Sequence, residues 1–383
     1  MESKPPSIWL PIFVLGCAAF AMVTTEFAPI GLLSQIAMNL GQSKSVISLT
    51  VTLYGWGAAL SGLFAARLAS RVNCRNLLIA LLLVTAGSNF VMMEAGVTGL
   101  FAARAAGAVA NGIFWALVAA TAARIAPSHR MGLATSIVFG GLSVACTLGI
   151  PAVNFVGQMI GWRTAFVTLS GLCALVALVM RFTLPNLPAT QPVVIARLKV
   201  IFTNKALWPI YLITAFITAA HFEAYSFIEP LILRIPHIVP SLVSLLLLGF
   251  GASGCVGNIV SALLSDRFTK PLVCGGVLAM FSAFAVFGIF GSHVGIAEAF
   301  LFLIVWGMAI AVLFTVLQSW VLRAAKSDMM IAAGVYTAVL NISIGVGSSL
   351  GAWCLHGYGL SGVMSLAALL ILPPFLVLFR AEL

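Results

Sequence analysis

The sequence predicts an all-α polytopic membrane protein whose twelve transmembrane helices form two pseudo-symmetric six-helix bundles. Three observations carry this prediction: a very apolar composition, twelve apolar segments of membrane-spanning length, and an echo between the two halves of the chain. Of the 383 residues, 62% are hydrophobic and 7% are charged, whereas soluble domains are roughly 45–50% apolar and 25% charged. So few charges cannot cover the surface of a soluble fold, which excludes soluble enzymes and disordered proteins.

The basic residues predict the orientation of these segments. Alternate breaks between the apolar runs hold most of the 19 Lys and Arg residues, whereas the opposite breaks hold Lys44, Arg163 and Arg234. This positive-inside bias predicts that both termini lie in the cytoplasm, and it accounts for the net charge of +10. Nucleic-acid binding is not expected, because no basic cluster is interleaved with aromatic residues.

The domain organisation follows from the longest polar break. Residues 1–182 and 206–383 are each expected to form a six-helix bundle, and 183–205 is expected to be a cytoplasmic linker. Both halves have a basic break after their second span and an arginine at the end of their fourth span, Arg124 and Arg323. Such internal repetition is typical of secondary transporters, whose substrate and ion sites lie near the midplane between the repeats.

Two ionisable residues at matching depth are the candidates for proton coupling. Glu26 lies in the outer half of span 1, and Arg104 lies in the outer half of span 4, which runs the opposite way. A charge at this depth costs at least ~2.5–3.5 kcal/mol, so its presence needs a reason. We expect the two side chains to face each other, with Glu26 as the proton carrier. The alternative is a static ion pair that fixes helix packing.

Span 7 contains the densest polar stripe. Its members recur every three or four residues and therefore share one helical face: Thr214, Thr218, His221, Tyr225 and Glu229. Glu223 lies on another face of the same span. We predict that His221, Glu223, Tyr225 and Glu229 contribute to substrate binding. The alternatives are a histidine that is only hydrogen-bonded in the core and a solvated Glu229 at the helix end.

Neutral polar side chains complete the candidate binding set. Tyr54 lies on span 2, Asn111 and Trp115 lie on one face of span 4, and Asn341 lies on span 11. Hydroxyl and amide groups beside aromatic rings suit an uncharged, polyhydroxylated ligand such as a sugar. They also suit an amphipathic drug.

Enzymatic and metal chemistry are not indicated. The phosphate-binding loop is absent, and the five histidines and seven cysteines are dispersed. We therefore predict no cofactor, no metal site and no catalytic residue. A membrane protease is an alternative, because Ser253 lies in a Gly-Ala-Ser-Gly segment. A second match at 359–362 in so glycine-rich a chain indicates chance.

Several segments resemble a known transporter family. The twelve spans, the central linker and the basic loops resemble the major facilitator superfamily, and Arg104 resembles the span-4 arginine of its drug:proton antiporter branch. Four segments are similar to bacterial sugar efflux transporters of the SotB type: 24–33, 113–115, 157–164 and 220–230.

The superfamily signature after span 2 is degenerate in this chain. Arg67 and Arg71 are retained, but Ala66 stands in the place of the acid, whereas the second-half copy keeps Asp266 and Arg267. By resemblance, Arg67, Arg71, Asp266 and Arg267 form a cytoplasmic gate. The alternative is that these charges only set the topology.

The resemblance implies a bacterial inner-membrane exporter of small neutral sugars or sugar analogues, driven by proton entry through alternating access. It also implies a monomer whose partners are the substrate, protons and the lipid bilayer. A proton-coupled multidrug exporter of the same fold is the main alternative. A passive uniporter is a further one.

Overall fold

The computed structural model describes residues 8–94, 96–127, 130–189, 204–265, 267–325 and 329–380. These ranges are almost entirely helical, as expected where lipid cannot satisfy backbone hydrogen bonds. In chain order the helices are α1 (Trp9–Gly31), α2 (Leu33–Asn39), α3 (Lys44–Gly62), α4 (Ala65–Ala69), α5 (Cys74–Val91), α6 (Val97–Ile125), α7 (Met131–Val144), α8 (Ile150–Ile160), α9 (Trp162–Thr183), α10 (Leu207–Tyr225), α11 (Ile228–Leu233), α12 (Pro240–Leu264), α13 (Thr269–Phe290), α14 (Ile296–Ala325), α15 (Met329–Leu370) and α16 (Pro373–Arg380). A π-helical segment, Ala145–Gly149, joins α7 to α8.

These helices provide twelve membrane crossings, which confirms the predicted fold class. Ten segments are long and apolar enough to cross a bilayer, and the last, Ile331–Leu378, has 48 residues. That segment crosses twice, because α15 breaks at Gly359 with φ 66° and ψ −171°, a conformation that glycine adopts readily. The remaining crossing is α3, whose 19 residues extend ~28 Å.

Corresponding helices pack in corresponding pairs in the two halves. The contact of α3 with α6 is matched by that of α12 with α14, and the contact of α5 with α9 is matched by that of α13 with α15. Similarly, α1 packs on α7, and α10 packs on α15. The helix packing therefore shows the same internal repeat as the sequence.

The two ends of the bundle differ in the elements they carry. We call the end where α9 stops at Thr183 and α10 starts at Leu207 the linker end, and the opposite end the distal end. The distal end contains α2 and α11, two short helices that follow the first crossing of each half. The predicted linker, 183–205, lies mostly outside the described residues and stays a prediction.

Hydrogen bonds join the two halves along a line that we call the distal seam. Its four bonds link α3 to α15 and the α7–α8 region to α12: Ser45 Oγ to the Ala352 carbonyl, Ser349 Oγ to Thr52 Oγ1 (3.5 Å), Thr147 Oγ1 to the Gly251 carbonyl (3.0 Å) and Ser244 Oγ to Asn154 Oδ1 (2.7 Å). Hydroxyls and small residues let these helices approach closely.

Two glycines cross at the deepest point of this seam. A Cβ atom on Gly55 would lie 2.8 Å from the backbone nitrogen of Gly345, and one on Gly345 would lie 2.8 Å from the Trp56 ring. Only glycine allows the backbones to come so close. By helical rise, Gly55 lies ~17 Å from Lys44 at the distal start of α3. The described hydrogen bonds between the halves therefore occupy the distal half of the bundle.

Candidate substrate and proton site

The first-half cluster consists of four buried side chains: Glu26, Tyr54, Arg104 and Asn111. Arg104 Nη1 donates to the Thr25 carbonyl at 2.8 Å, and Nη2 donates to the Glu26 carbonyl at 2.6 Å. The guanidinium carbon lies 4.0 Å from the centre of the Tyr54 ring. Asn111 Nδ2 donates to Glu26 Oε2 at 3.2 Å. Glu26 and Arg104 are thus neighbours, but the hydrogen bonds of the guanidinium go to the backbone of α1.

A proline explains why the backbone of α1 can accept these bonds. Pro29 lies inside α1 and has no N–H group, so the carbonyl four residues earlier, that of Thr25, lacks its usual partner within the helix. A buried carbonyl without a partner is costly. Arg104 supplies the missing donor from α6. The sequence of α1 therefore creates the acceptor that the arginine satisfies.

Three polar atoms of the first-half cluster have no hydrogen-bond partner among the described residues. They are the Tyr54 hydroxyl, Arg104 Nε and Asn111 Oδ1. Buried polar atoms are nearly always paired with protein groups or water. These three atoms are therefore candidates to bond a ligand or a buried water molecule.

The second-half cluster consists of His221, Tyr225, Phe250 and Trp306. Trp306 Nε1 donates to His221 Nδ1 at 3.0 Å. Because an indole N–H can only donate, Nδ1 is the acceptor, and the neutral ring carries its proton on Nε2. The His221 and Tyr225 rings stack at 4.8 Å between centroids, and those of Tyr225 and Phe250 stack at 5.2 Å. Trp306 stands edge-on to all three rings.

Phe27 connects the two clusters. It follows Glu26 on α1, and its ring lies 5.4 Å from that of Phe222 and 6.5 Å from that of Tyr225. Aromatic contacts of this kind contribute ~0.5–1.5 kcal/mol beyond their buried area. The proton candidate of one half is therefore one residue away from a side chain that packs on the second half.

Glu229 and Ser34 connect the halves nearer the distal end. Glu229 is buried on α11, and its Oε2 accepts from the Ser34 backbone N–H at 3.1 Å and from Ser34 Oγ at 2.7 Å. Glu229 is therefore not a solvated helix end. It binds α2 of the first half to α11 of the second, apart from the second-half cluster.

The family of the chain follows from its sequence match. The sequence model of the Major Facilitator Superfamily matches residues 15–325, which is most of the chain. The chain belongs to the Major Facilitator Superfamily.

Solved structures agree with this assignment at the level of the fold. A bacterial homologue of the human lysosomal transporter Spinster, inward-facing and unoccupied, has a TM-score of 0.81 at 14% identity, covering 98% of this chain and 97% of its own. A POT family transporter in complex with a thioalcohol-conjugated peptide has a TM-score of 0.77 at 12% identity, covering 97% and 95%. Membership of a family of transporters indicates that this chain is a transporter and not an enzyme.

Three further predicted residues of this superfamily member lie outside both clusters. Glu223 is buried, but it lies where α10 meets α15: its carbonyl would be 2.5 Å from a Cβ on Gly351. Trp115 is half-buried and stacks on Phe139 at 5.9 Å. Asn341 lies at the glycine crossing, where its Nδ2 donates to the carbonyl one turn earlier.

Three of the four predicted gate residues lie at the linker end. Arg67 and Arg71 are exposed around α4, and the exposed Arg267 lies 5.4 Å from the Phe268 ring centre. Asp266 lies outside the described residues. Their assignment as a gate stays a prediction. Within the described ranges, no group of three or more His, Cys, Asp or Glu side chains is placed to hold a metal ion.

Sequence reasoning missed Trp306, Phe250, Phe27, Ser34 and Pro29. A tryptophan or phenylalanine inside an apolar span has the same pattern as a packing residue, so the spans give no sign of the first three, and Phe27 enters only as part of the 24–33 resemblance. Ser34 bonds across the halves, which a pattern within one span does not report. Pro29 could have been recognised, because a proline inside a span frees a carbonyl three or four residues before it.

Proposed function

We propose that this transporter exports small neutral sugars or sugar analogues across the bacterial inner membrane in exchange for protons, by alternating access. One observation carries the proposal. A buried carboxyl group beside an arginine in the first half is joined through Phe27 to a stacked aromatic cluster in the second half. The first cluster supplies a proton site, and both supply groups that bind an uncharged ligand.

Glu26 suits the role of proton carrier because of how Arg104 is held. The guanidinium places a positive charge near the carboxylate, which compensates for its burial. Its hydrogen bonds, however, go to the carbonyls of Thr25 and Glu26. Protonation of the carboxyl group therefore leaves those bonds intact. We propose that proton binding changes the charge balance of the site without dismantling the contact between α1 and α6.

The ligand is proposed from the groups without partners. The Tyr54 hydroxyl and Asn111 Oδ1 match the hydroxyl groups of a sugar as donor or acceptor. The aromatic rings of the second-half cluster are groups of the kind that pack on the apolar faces of a sugar ring. The sequence resemblance to SotB-type sugar efflux transporters supports the same substrate class.

The direction of transport is proposed from the charge pattern and the distal seam. The positive-inside bias assigns the linker end to the cytoplasm. The seam closes the distal half of the bundle, where Thr52, Thr147 and Asn154 bond across the halves. In this orientation the closed end faces outward, as is required of the state in which an exporter loads its substrate from the cytoplasm.

A proton-coupled multidrug exporter is the second candidate. The observation that favours it is the extent of aromatic surface, since Phe27, Phe222 and Phe250 join Tyr225 and Trp306 in one continuous cluster. Planar apolar drugs bind to such surfaces. The two candidates share the fold and the proton site and differ in the ligand alone.

Everted membrane vesicles carrying the protein test the proposal. A pH-gradient dye is followed while pentoses, disaccharides, galactoside analogues and several drugs are added in turn. The Glu26→Gln variant keeps the size of the side chain and its acceptor oxygen but removes the proton site. The exposed Glu94 lies in the loop between α5 and α6, so Glu94→Gln is the matched control.

We expect a sugar to collapse the gradient in the wild type and in Glu94→Gln, and to leave it unchanged in Glu26→Gln. If drugs alone collapse the gradient, the multidrug candidate replaces the sugar exporter. Proton movement that persists in Glu26→Gln would refute the proton role of Glu26.

A further inference from the structure

An open cleft of about 600 Å³ lies at the distal end, between the start of α3 and the break in α15 at Gly359. Both halves line it. The polar side chains at its wall are Ser43, Lys44 and Ser45 from the first half and Arg234, His356 and Ser361 from the second. The cleft lies at the distal end of the bundle. None of the side chains that line it belongs to either cluster of the candidate site.

The cleft is rich in basic residues, although basic residues are rare on the distal side of this chain. The sequence places only Lys44, Arg163 and Arg234 in the breaks on the distal side, because cations are disfavoured there. Two of these three line the same cleft, although they lie in different halves, and His356 joins them. Arg163 is held elsewhere, where it donates to Asn39. Topology alone gives no reason for such a convergence.

The donors of the cleft are arranged for an oxyanion. Arg234 Nη1 donates to Ser361 Oγ at 2.8 Å, which orients the guanidinium while leaving its other N–H groups to donate elsewhere. On the first-half wall Lys44 offers an ammonium group and Ser43 a hydroxyl, whereas the hydroxyl of Ser45 already donates to the Ala352 carbonyl. Glu229 interacts electrostatically with Lys44 and offsets part of its charge, and its hydrogen bonds from Ser34 leave that negative charge in place. Guanidinium, ammonium and hydroxyl groups together are the donors that bind phosphate and carboxylate groups.

We propose that this cleft binds a phosphate group and that its occupancy stabilises the distally closed state. Residues of both halves form the cleft, and the bond from Ser45 to the Ala352 carbonyl closes the seam beside it. Separation of the halves at this end would pull Lys44 away from Arg234. A ligand that binds one conformation and not the other shifts the equilibrium toward the first. Bound phosphate therefore slows the step in which the distal end opens, whatever the transported substrate is.

The test measures the thermal stability of the full-length protein. Inorganic phosphate is titrated onto detergent-purified protein at constant ionic strength, with chloride as the balancing anion. A second arm compares nanodiscs of phosphatidylglycerol with nanodiscs of phosphatidylcholine, because a lipid headgroup carries the same chemistry as free phosphate. The variants are Lys44→Gln, Arg234→Gln and His356→Gln. Arg163→Gln is the matched control, since it removes a distal cation outside the cleft.

We expect phosphate or phosphatidylglycerol to raise the melting temperature of the wild type and of Arg163→Gln. In Lys44→Gln and Arg234→Gln the apparent affinity should fall at least tenfold. A response in the phosphate arm identifies a free anion as the ligand, and a response in the nanodisc arm alone identifies a lipid headgroup. His356 is exposed, so His356→Gln keeps the test valid if the other two variants do not fold. Equal responses in all variants, or a response in neither arm, would overturn the proposal.

Discussion

The two halves use the same pair of helices in different ways. In the first half, the fourth crossing is bonded to the first through Arg104, which donates from α6 to α1. In the second half, the fourth crossing is bonded to the first through Trp306, which donates from α14 to α10. The two donors are about 200 residues apart, as the internal repeat requires. The halves therefore keep the position of the donor and change its chemistry.

The difference shows what each kind of donor can do. A charged donor bonded to backbone carbonyls holds α1 in place whatever the protonation state of the neighbouring carboxyl group. A neutral donor bonded to His221 fixes the tautomer of the imidazole and leaves flat ring faces beside it. We therefore propose that the first half handles the proton and hydrogen-bonds the ligand through Tyr54 and Asn111, whereas the second half contributes aromatic rings to ligand recognition.

The largest effect is expected when the charged donor is removed. Arg104→Gln leaves the carbonyls of Thr25 and Glu26 without their donors and the carboxyl group without a compensating charge. Removing one partner of such a buried arrangement costs ~3–5 kcal/mol. We expect a large fall in the melting temperature in detergent. Arg104→Lys keeps the charge but not the forked geometry, so its melting temperature should lie between those of the wild type and Arg104→Gln. An unchanged transition in Arg104→Gln would contradict the role given to these bonds.

A smaller effect is expected for the neutral donor. Trp306→Phe keeps an aromatic ring but removes the bond to His221, and one neutral hydrogen bond contributes ~0.5–1.5 kcal/mol. We expect ligand affinity to fall while proton movement, when ligand is saturating, is retained. Isothermal titration and the vesicle assay measure these two quantities separately. Loss of proton movement at saturating ligand would show that the second half also handles protons.

The smallest effect on stability is expected for the Tyr54 hydroxyl. It is buried and has no hydrogen-bond partner among the described residues, so Tyr54→Phe removes no bond and keeps the ring beside Arg104. Because a buried hydroxyl without a partner is itself costly, we expect the free energy of unfolding to stay unchanged or to rise. Ligand affinity should nevertheless fall, because the hydroxyl is proposed to bond the substrate. If stability falls sharply and affinity does not, the hydroxyl has a structural role instead.

The sequence was sufficient to predict the features that depend on position along a single span. Apolar length and loop charge determine the twelve crossings, and matching depth with opposite charge predicts that Glu26 and Arg104 are neighbours. The face shared by His221 and Tyr225 follows from helical periodicity in the same way. Each of these needs only the residue order and the known rise of a helix.

Contacts between helices could not be predicted in this way. Trp306 meets His221 because α14 packs beside α10, and no periodicity within α14 reports that partner. Glu229 and Ser34 meet only because the halves are closed at the distal end. The backbone of Glu223 packs against Gly351 of α15, which no periodicity within α10 reports, and the place of Glu223 in the binding set stays a prediction. The helix faces that contact each other depend on how the bundle packs and on its conformation, and neither can be read from a single span.

The crossing of Gly55 and Gly345 has a mechanical consequence. The backbones meet there and the Trp56 ring lies beside Gly345, so a tilt of α3 over α15 would pivot at the backbone contact and displace this ring. Such a crossing is a fulcrum. The arm of α3 toward Lys44 is ~17 Å long and the arm toward Gly62 is ~10 Å long. A tilt of α3 that moves its distal end away from α15 therefore moves its linker end toward α15 by roughly two thirds of that distance. The position of one glycine along α3 sets this lever ratio.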